Sequence, residues 1–279
     1  MTTLSLGHSP DPDDAFMFYA LAKGLVETGD LRFEHVLQDI ETLNRRALNA
    51  ELDVTALSIH AYAYVADHYV LLPCGASVGE RCGPLVVARE QLELSDLRSR
   101  CVAVPGTLTT AYLVLRMAVG AFEHIAVPFD EILAAVASGR ADAGLIIHEG
   151  QLTYAQQSLH KVADLGEWWF GQTGLPLPLG VNAVRKALGQ PLVERVARYV
   201  RASIDYGLAH RDEALGHALA YARDMDRPLA DRFVGMYVNE YTLDLGERGR
   251  RAIAVLLDRA HAEGRIPQRV VCEEAIHAR

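Results

Sequence analysis

The sequence predicts an α/β protein built as two lobes around a cleft, and three observations carry that expectation. Short apolar runs alternate with longer stretches of helical period, the pattern of βαβ units and of a largely parallel sheet. These runs form two groups, separated by a charged segment from Glu90 to Arg100, and a block of almost unbroken helical period follows Pro191. The 279 residues, at about 150 per domain, leave room for roughly two domains, each with a core of its own.

The elements follow in order. Thr3 to Gly7 reads as a first strand, the loop Ser9-Pro-Asp-Pro-Asp-Asp14 follows it, and Phe16, Tyr19, Ala20 and Leu25 recur at helical spacing. Leu31 to Val36 reads as a second strand, and Asp39 to Ala50 as a helix with Ile40, Leu43, Ala47 and Leu48 on one face. Val54 to Leu57 is a third strand, and Ser58 stands at the N-cap position of a helix rich in Ala and Tyr. Gly83 to Ala88 is a buried strand. Cys101 to Val104 is another, followed by the tight turn Gly106-Thr-Leu-Thr-Thr110 and a helix from Ala111 to Phe122. Asp130 is expected to cap a helix running to Ser138, and Gly139-Arg-Ala-Asp142 turns the chain into the strand Ala143 to Ile147. Gly180 to Val184 reads as a last strand, ahead of helices broken near His210, Pro228 and Gly246. The expected lobes are residues 1–89 with 180–279, and residues 90–179. Crossings at Val86 to Arg89 and Leu179 to Val184 would form a two-strand hinge.

Composition narrows the function classes. Half of the residues are hydrophobic, 23% are charged and Gly 22 with Pro 11 is ordinary usage, which excludes disordered and collagen-like chains. A net charge of −9, with no basic block to neutralise a row of phosphates, argues against a nucleic-acid partner. Cys74, Cys82, Cys101 and Cys272 form no C-x-x-C pair and have no His at metal-ligand spacing, so neither a zinc site nor a disulfide framework is expected. The start Met1-Thr-Thr-Leu-Ser-Leu-Gly-His8 lacks a basic region followed by roughly 7–15 apolar residues, and no apolar stretch is long enough for a bilayer span. A soluble cytoplasmic protein acting on a small molecule is the expectation, without membrane partner. No phosphate-binding glycine motif and no G-x-S-x-G stand at a strand–helix junction, so no nucleotide cofactor and no serine-hydrolase chemistry are called for.

In such sheets ligands sit beyond the carboxyl ends of strands, where helix N-termini present free N–H groups. The residues at those ends are Ser9, Asp11, Asp13 and Asp14; Thr55, Leu57 and Ser58; Gly106, Thr107, Thr109 and Thr110; and His148 with Glu149. Thr109 and Thr110 either hold an anionic oxygen or only cap their helix. His148 leaves an apolar strand, and its side chain has the pKa range suited to general-base work near neutrality; a structural histidine is the plain alternative. His8 and His60 lie beside similar junctions. Asp11, Asp13 and Asp14 read as turn-forming and capping aspartates rather than a metal cluster, because the D-x-D-x-D-G signature is absent.

The layout, with the helix-turn-strand unit Phe129 to Ile147, resembles the type II periplasmic-binding-protein fold. More specifically, Ser9-Pro-Asp-Pro-Asp-Asp-Ala-Phe16, Glu41-Thr-Leu-Asn44, Leu57-Ser-Ile-His-Ala-Tyr-Ala63, Gly83 to Arg89, Val104-Pro-Gly-Thr-Leu-Thr-Thr-Ala-Tyr112, Gly144-Leu-Ile-Ile-His-Glu149 and Leu175-Pro-Leu-Pro-Leu-Gly180 together resemble the 1,4-dihydroxy-6-naphthoate synthase family of the futalosine route to menaquinone. A weaker echo follows at Tyr237-Val-Asn239. The resemblance implies a cofactor-independent carbon–carbon lyase that converts cyclic dehypoxanthinylfutalosine into 1,4-dihydroxy-6-naphthoate. It implies His148 as general base, and Ser9, Asp14, Thr55, Ala56, Leu57, Ser58, Thr109 and Thr110 as substrate-binding residues. The rival expectation is a small-anion binding or sensing protein of the same fold, which needs no base.

Overall fold

The computed structural model describes residues 1–221 and 225–274. Its eleven described strands are β1 (Thr2–His8), β2 (Leu31–Leu37), β3 (Val54–Ser58), β4 (Tyr69–Leu71), β5 (Ser77–Gly79), β6 (Leu85–Ala88), β7 (Cys101–Val104), β8 (Glu123–Ala126), β9 (Ala143–Ile146), β10 (His160–Asp164) and β11 (Leu177–Arg185). The first sheet has the order β2-β1-β3-β11-β4, with β5 also paired to β11; the second has the order β10-β6-β9-β7-β8. Helices cover both, and the helical block from Gln190–Ala209 to Gly246–Ala262 returns to the first sheet.

Both sheets are mixed, which corrects the expectation of largely parallel ones. β1 runs parallel to β2 and β3, and β7 to β8 and β9, while β11 is antiparallel to β3 and β6 to β9. The cause is the connection between lobes. The parallel strands run toward the cleft, so a strand that has just crossed from the other sheet starts at the cleft and must run away from it. The passages lie at 80–84 and 174–176, ahead of the crossings expected at Val86–Arg89 and Leu179–Val184.

Local chemistry explains the element ends. The helix Ile40–Ala47 begins where the Asp39 side chain accepts the Thr42 N–H at 3.0 Å, so Asp39 is its cap rather than its first turn. Its inner face buries Leu43 and Ala47, and it also buries a polar residue, Asn44, completely. The expected helix through Phe16 and Leu25 is instead two short ones, Pro12–Met17 and Tyr19–Ala22, broken at Phe18. Asp130 caps no helix: it lies inside a single 3₁₀ turn, Phe129–Glu131, and the helix Ile132–Ala137 follows. Trp169 is packing, fully buried with its indole N–H donating to Pro176 O at 3.0 Å. No described helix is long and apolar enough to cross a membrane.

Candidate active site

A cavity open to solvent lies between the two sheets. Its wall comes from four strand ends. After β1 it takes Ser9, Asp11, Asp13 and Asp14; at the end of β3, Ala56, Leu57 and Ser58; after β7, Thr109 and Thr110; after β9, Ile147. The start of β11 closes one side, because Gly180, Val181 and Asn182 pair with Ser58, Leu57 and Ala56. Seven of the sequence-derived binding residues therefore share one cavity: Ser9, Asp14, Ala56, Leu57, Ser58, Thr109 and Thr110.

Two do not line it. Thr55 is fully buried and its hydroxyl donates to Ala56 O at 2.9 Å, so it serves the strand. His148 is buried beside the wall that Ile147 provides. Its ring packs edge-on against Phe129, with centroids 5.3 Å apart, and its Nδ1 accepts the Gly150 N–H at 2.8 Å. A Cβ at Gly150 would sit 2.4 Å from the His148 ring, so a side chain there would displace the ring from this position. With Nδ1 assigned as acceptor, the neutral ring carries its proton on Nε2.

The threonines show how much of a hydroxyl is left for a ligand. Thr109 is the N-cap of the helix Thr110–Val119: its Oγ1 accepts the Tyr112 N–H and donates to Gly106 O at 3.0 Å. Thr110 Oγ1 donates to Leu179 O at 2.6 Å and accepts the His60 N–H. Both hydroxyl protons are thus used within the protein, and the donors presented to an anion are the amide N–H groups at the start of that ten-residue helix. Ser58 differs. Its N–H donates to Asn44 Oδ1 at 2.9 Å and its Oγ accepts from Asn44 Nδ2 at 3.0 Å. That leaves its own hydroxyl proton directed by a fixed oxygen rather than used by the buried Asn44. No cap bond comes from the Ser58 side chain, although it stands at the N-cap position.

The β1 loop is folded on itself. Ser9 Oγ donates to Asp11 Oδ2, and Asp14 Oδ2 accepts the Ser9 N–H, both at 2.7 Å. Burial, then the neighbouring Asp13, pushes the Asp14 carboxyl well above the ordinary range against the pull of that N–H. Asp13 is pushed up to about 6, chiefly by burial, with Glu149 adding to it and a hydrogen bond to Ser77 opposing it. Among the described residues, no group of three or more His, Cys, Asp or Glu is placed to hold a metal ion.

His8 and His60 are structural. His8 Nδ1 donates to Ser9 O and its Nε2 is 3.0 Å from His35 Nδ1; burial and His35 bring its pKa down to about 3. Burial brings His60 down to about 4. Sequence reading missed four cavity-building residues. Asn44 is one, and a polar residue on an otherwise apolar helix face was its signal. Ser77 and Asn182 are others; Asn182 Nδ2 donates to Gly75 O at 2.9 Å, and a Cβ at Gly75 (φ 79°) would strike that nitrogen at 2.4 Å. Tyr237 is the fourth, buried against the cavity with its hydroxyl donating to Gln151 Oε1 at 2.9 Å across the cleft.

Two mixed sheets, joined by two passages and enclosing a polar-lined cavity, define a periplasmic-binding-protein-like α/β protein. Solved structures agree: the fold matches an alkanesulfonate-binding protein of Xanthomonas axonopodis with a TM-score of 0.72 at 15% identity, covering 97% of this chain and 96% of that one. A crystal structure of a protein from Archaeoglobus fulgidus is much nearer, with a TM-score of 0.90 and 48% identity over 94% of this chain and 98% of that chain. The family described as menaquinone biosynthesis matches residues 4–262, and the chain belongs to that family. Relatives named 1,4-dihydroxy-6-naphthoate synthase are 48% identical in Thermus thermophilus (95% of this chain, 96% of the relative) and 45% identical in Streptomyces coelicolor (95% of each). The chain is an enzyme of menaquinone biosynthesis.

Proposed function

We propose that this enzyme cleaves cyclic dehypoxanthinylfutalosine to 1,4-dihydroxy-6-naphthoate, as a carbon–carbon lyase working without a cofactor in the cytoplasm. The observation that carries the reading is the single cavity into which Ser9, Ser58, Thr109 and Thr110 converge from separate strand ends, in a chain 48% identical to a relative of that name. The substrate carboxylate lies at the start of the helix Thr110–Val119, where the orphan N–H groups and the positive end of the helix dipole favour an anion. The Ser58 hydroxyl, fixed by Asn44, donates to a substrate oxygen. The apolar wall of Leu57, Ile147 and Leu179 takes the ring face.

His148 is the general base. It removes a proton made acidic by a neighbouring carbonyl, and elimination with aromatisation drives the bond cleavage. A base needs a free lone pair facing the substrate, whereas here Nδ1 is engaged by Gly150. In the working state the ring therefore turns about its side-chain bonds and releases the Gly150 N–H as substrate fills the cavity.

Incubation of the protein with cyclic dehypoxanthinylfutalosine, with no cofactor added, is expected to yield the naphthoate, followed by chromatography and absorbance. Saturable binding without product would overturn the lyase reading in favour of a small-anion binding protein.

A further inference from the structure

Of the run Glu41-Thr-Leu-Asn44, the proposed reaction uses Asn44 and leaves Glu41 without a task. The two stand three residues apart on the helix Ile40–Ala47, which packs on β3 of the first sheet, so they share one face. Both reach the turn after β7, in the second sheet, and both close on one residue there. Glu41 Oε2 accepts the Leu108 N–H at 3.0 Å, and Asn44 Nδ2 donates to Leu108 O at 3.4 Å. The backbone of Leu108 is thus held on both sides of its Cα, immediately before Thr109 and Thr110. An acid in the first turn of a helix is ordinary, and a solvated one would satisfy the helix dipole. Glu41 is instead buried, and its other oxygen, Oε1, lies 2.8 Å from Arg45 Nη2. The turn is shaped to receive it: a Cβ at Gly106 would sit 2.2 Å from the Glu41 carboxyl carbon, so the bare glycine lets the carboxylate reach Leu108.

Resting for its substrate on the lyase reading above, we infer that Glu41 is a positioning residue: its bond to Leu108 is a clasp across the cleft that sets the gap between the Ser58 hydroxyl and the amide N–H groups at the start of the helix Thr110–Val119. Asn44 holds Ser58 on one side and Leu108 on the other, so the clasp and the substrate-facing hydroxyl belong to one hydrogen-bonded set. Thr110 also reaches the first sheet, but its partner Leu179 lies on β11, the strand that leaves the passage at 174–176. Leu108 is tied to a helix that neither passage enters. The Thr110 bond therefore travels with the chain connection, whereas the Glu41 bond opens when the sheets part to admit substrate and re-forms behind it. With the clasp made, the groups that take the carboxylate and the other substrate oxygen already stand at their bound separation. Without it the substrate must gather them, and apparent affinity falls with the fraction of time that the pair is in place. Once they are gathered, His148 works at its full rate.

The test is steady-state kinetics with cyclic dehypoxanthinylfutalosine for wild type, Glu41→Ala, Glu41→Gln and Arg45→Ala, together with amide hydrogen exchange on the ligand-free proteins. Glu41→Ala is expected to raise KM about tenfold and to keep kcat within about threefold, with faster exchange at the Leu108 N–H. Glu41→Gln keeps a carbonyl oxygen for that N–H, and should bring KM back to within about threefold of wild type and restore the slow exchange. Arg45→Ala removes only the partner of Oε1 and should leave both KM and the Leu108 exchange as they are. Wild-type KM in Glu41→Ala overturns the inference. So does a kcat lowered about a hundredfold at unchanged KM, which would put Glu41 in the chemistry, and so does an Arg45→Ala enzyme that copies Glu41→Ala, which would make the ion pair the cause. Gly106→Ala keeps Glu41 but displaces its carboxyl from Leu108; should Glu41→Ala fail to fold, wild-type KM in Gly106→Ala overturns the inference. Absence of product from the wild-type enzyme overturns the lyase reading alone, because exchange in the ligand-free proteins still decides the clasp: quickening at Leu108 in Glu41→Ala that Glu41→Gln reverses supports it, and unchanged exchange overturns it.

Discussion

The second sheet contains two junctions of one kind, a parallel strand entering a helix at the cleft, and they are built in opposite ways. After β7 the chain makes the turn through Gly106, caps itself with Thr109 and enters a ten-residue helix whose inner face buries Ala111, Leu113, Val114 and Leu115. Every bond that holds this junction is local or reaches the first sheet through Thr110 and Leu108: Thr110 to Leu179, and the Leu108 N–H to Glu41 Oε2 at 3.0 Å. After β9 the helix is only four residues, Gly150–Thr153, with no side-chain cap bond. Its side-chain contacts include the His148 ring on the Gly150 N–H and the Tyr237 hydroxyl on Gln151. A rigid junction suits anchoring a carboxylate, and a lightly held one suits a group that must turn before it reacts.

The largest effect expected from breaking this comparison is at the lightly held junction. His148→Ala should lower kcat by about a hundredfold to ten-thousandfold while substrate binding stays within a few-fold, since the base acts in the transition state and lies off the wall that touches the ground-state substrate. Wild-type turnover in this variant would sink the base assignment.

At the rigid junction the same kind of change should strike stability instead. Thr110→Val leaves Leu179 O and the His60 N–H unpaired in a buried place, a cost on the order of 3 kcal/mol for two groups. Thr109→Ala removes only a cap, about 1 kcal/mol. Denaturant unfolding of the two variants checks the order; equal losses would mean that Thr110 is not the pin of that junction.

Acid should act on the first sheet's end of the cleft. His8 is buried and neutral, with a folded value of about 3 against an ordinary 6.5. Between those values the unfolded chain binds a proton that the native one refuses, so stability rises with pH and falls on acidification. The loss for His8 is about 1.4 kcal/mol per unit well inside the window, or about 2 kcal/mol at pH 5. Asp13, raised to about 6, acts the other way below that value, because its native form takes up the proton first. His8→Gln should therefore be less stable than wild type at pH 7.5, with the difference shrinking by about 2 kcal/mol at pH 5. A difference independent of pH would show that His8 titrates freely.

The contrast also explains what could be read from the sequence. Thr109 and Thr110 stand after a strand and a glycine turn and open an amphipathic helix, so their place on the wall follows from local pattern alone. His148 was legible as a strand-end residue, but its orientation depends on Phe129, nineteen residues earlier, and on the Gly150 N–H that its ring accepts. Strands β8 and β10 escaped the pattern because they are sheet edges with exposed or half-buried residues, and so lack an apolar run. Ser77, Asn182 and Tyr237 reach the cavity from elements distant in sequence; nothing in the immediate sequence marks Ser77 or Asn182 as lining it, and Tyr237 stood only in the weak echo Tyr237-Val-Asn239. Thr55 shows the converse. It is polar and stands near a strand end, yet it is fully buried with its hydroxyl on Ala56 O, one residue short of the part of β3 that lines the cavity.

The smallest effect sharpens the comparison most directly. Tyr237→Phe keeps the buried ring and removes one hydroxyl, which should cost about 1 kcal/mol in global stability. The loss is confined to the junction after β9, since Gln151 is the Tyr237 partner and the helix Thr110–Val119 makes no bond to it. Amide hydrogen exchange should quicken at Gln151 and Leu152, whose N–H groups bond back to His148 O and Glu149 O, and stay unchanged at Leu113 and beyond. If the lightly held turn is what lets His148 leave Gly150, the variant frees the ring more often, and kcat at saturating substrate should hold or rise slightly while the apo protein loses stability. Equal quickening at both junctions would mean that they open as one unit, and the division of labour between an anchoring end and a moving end would have to be given up.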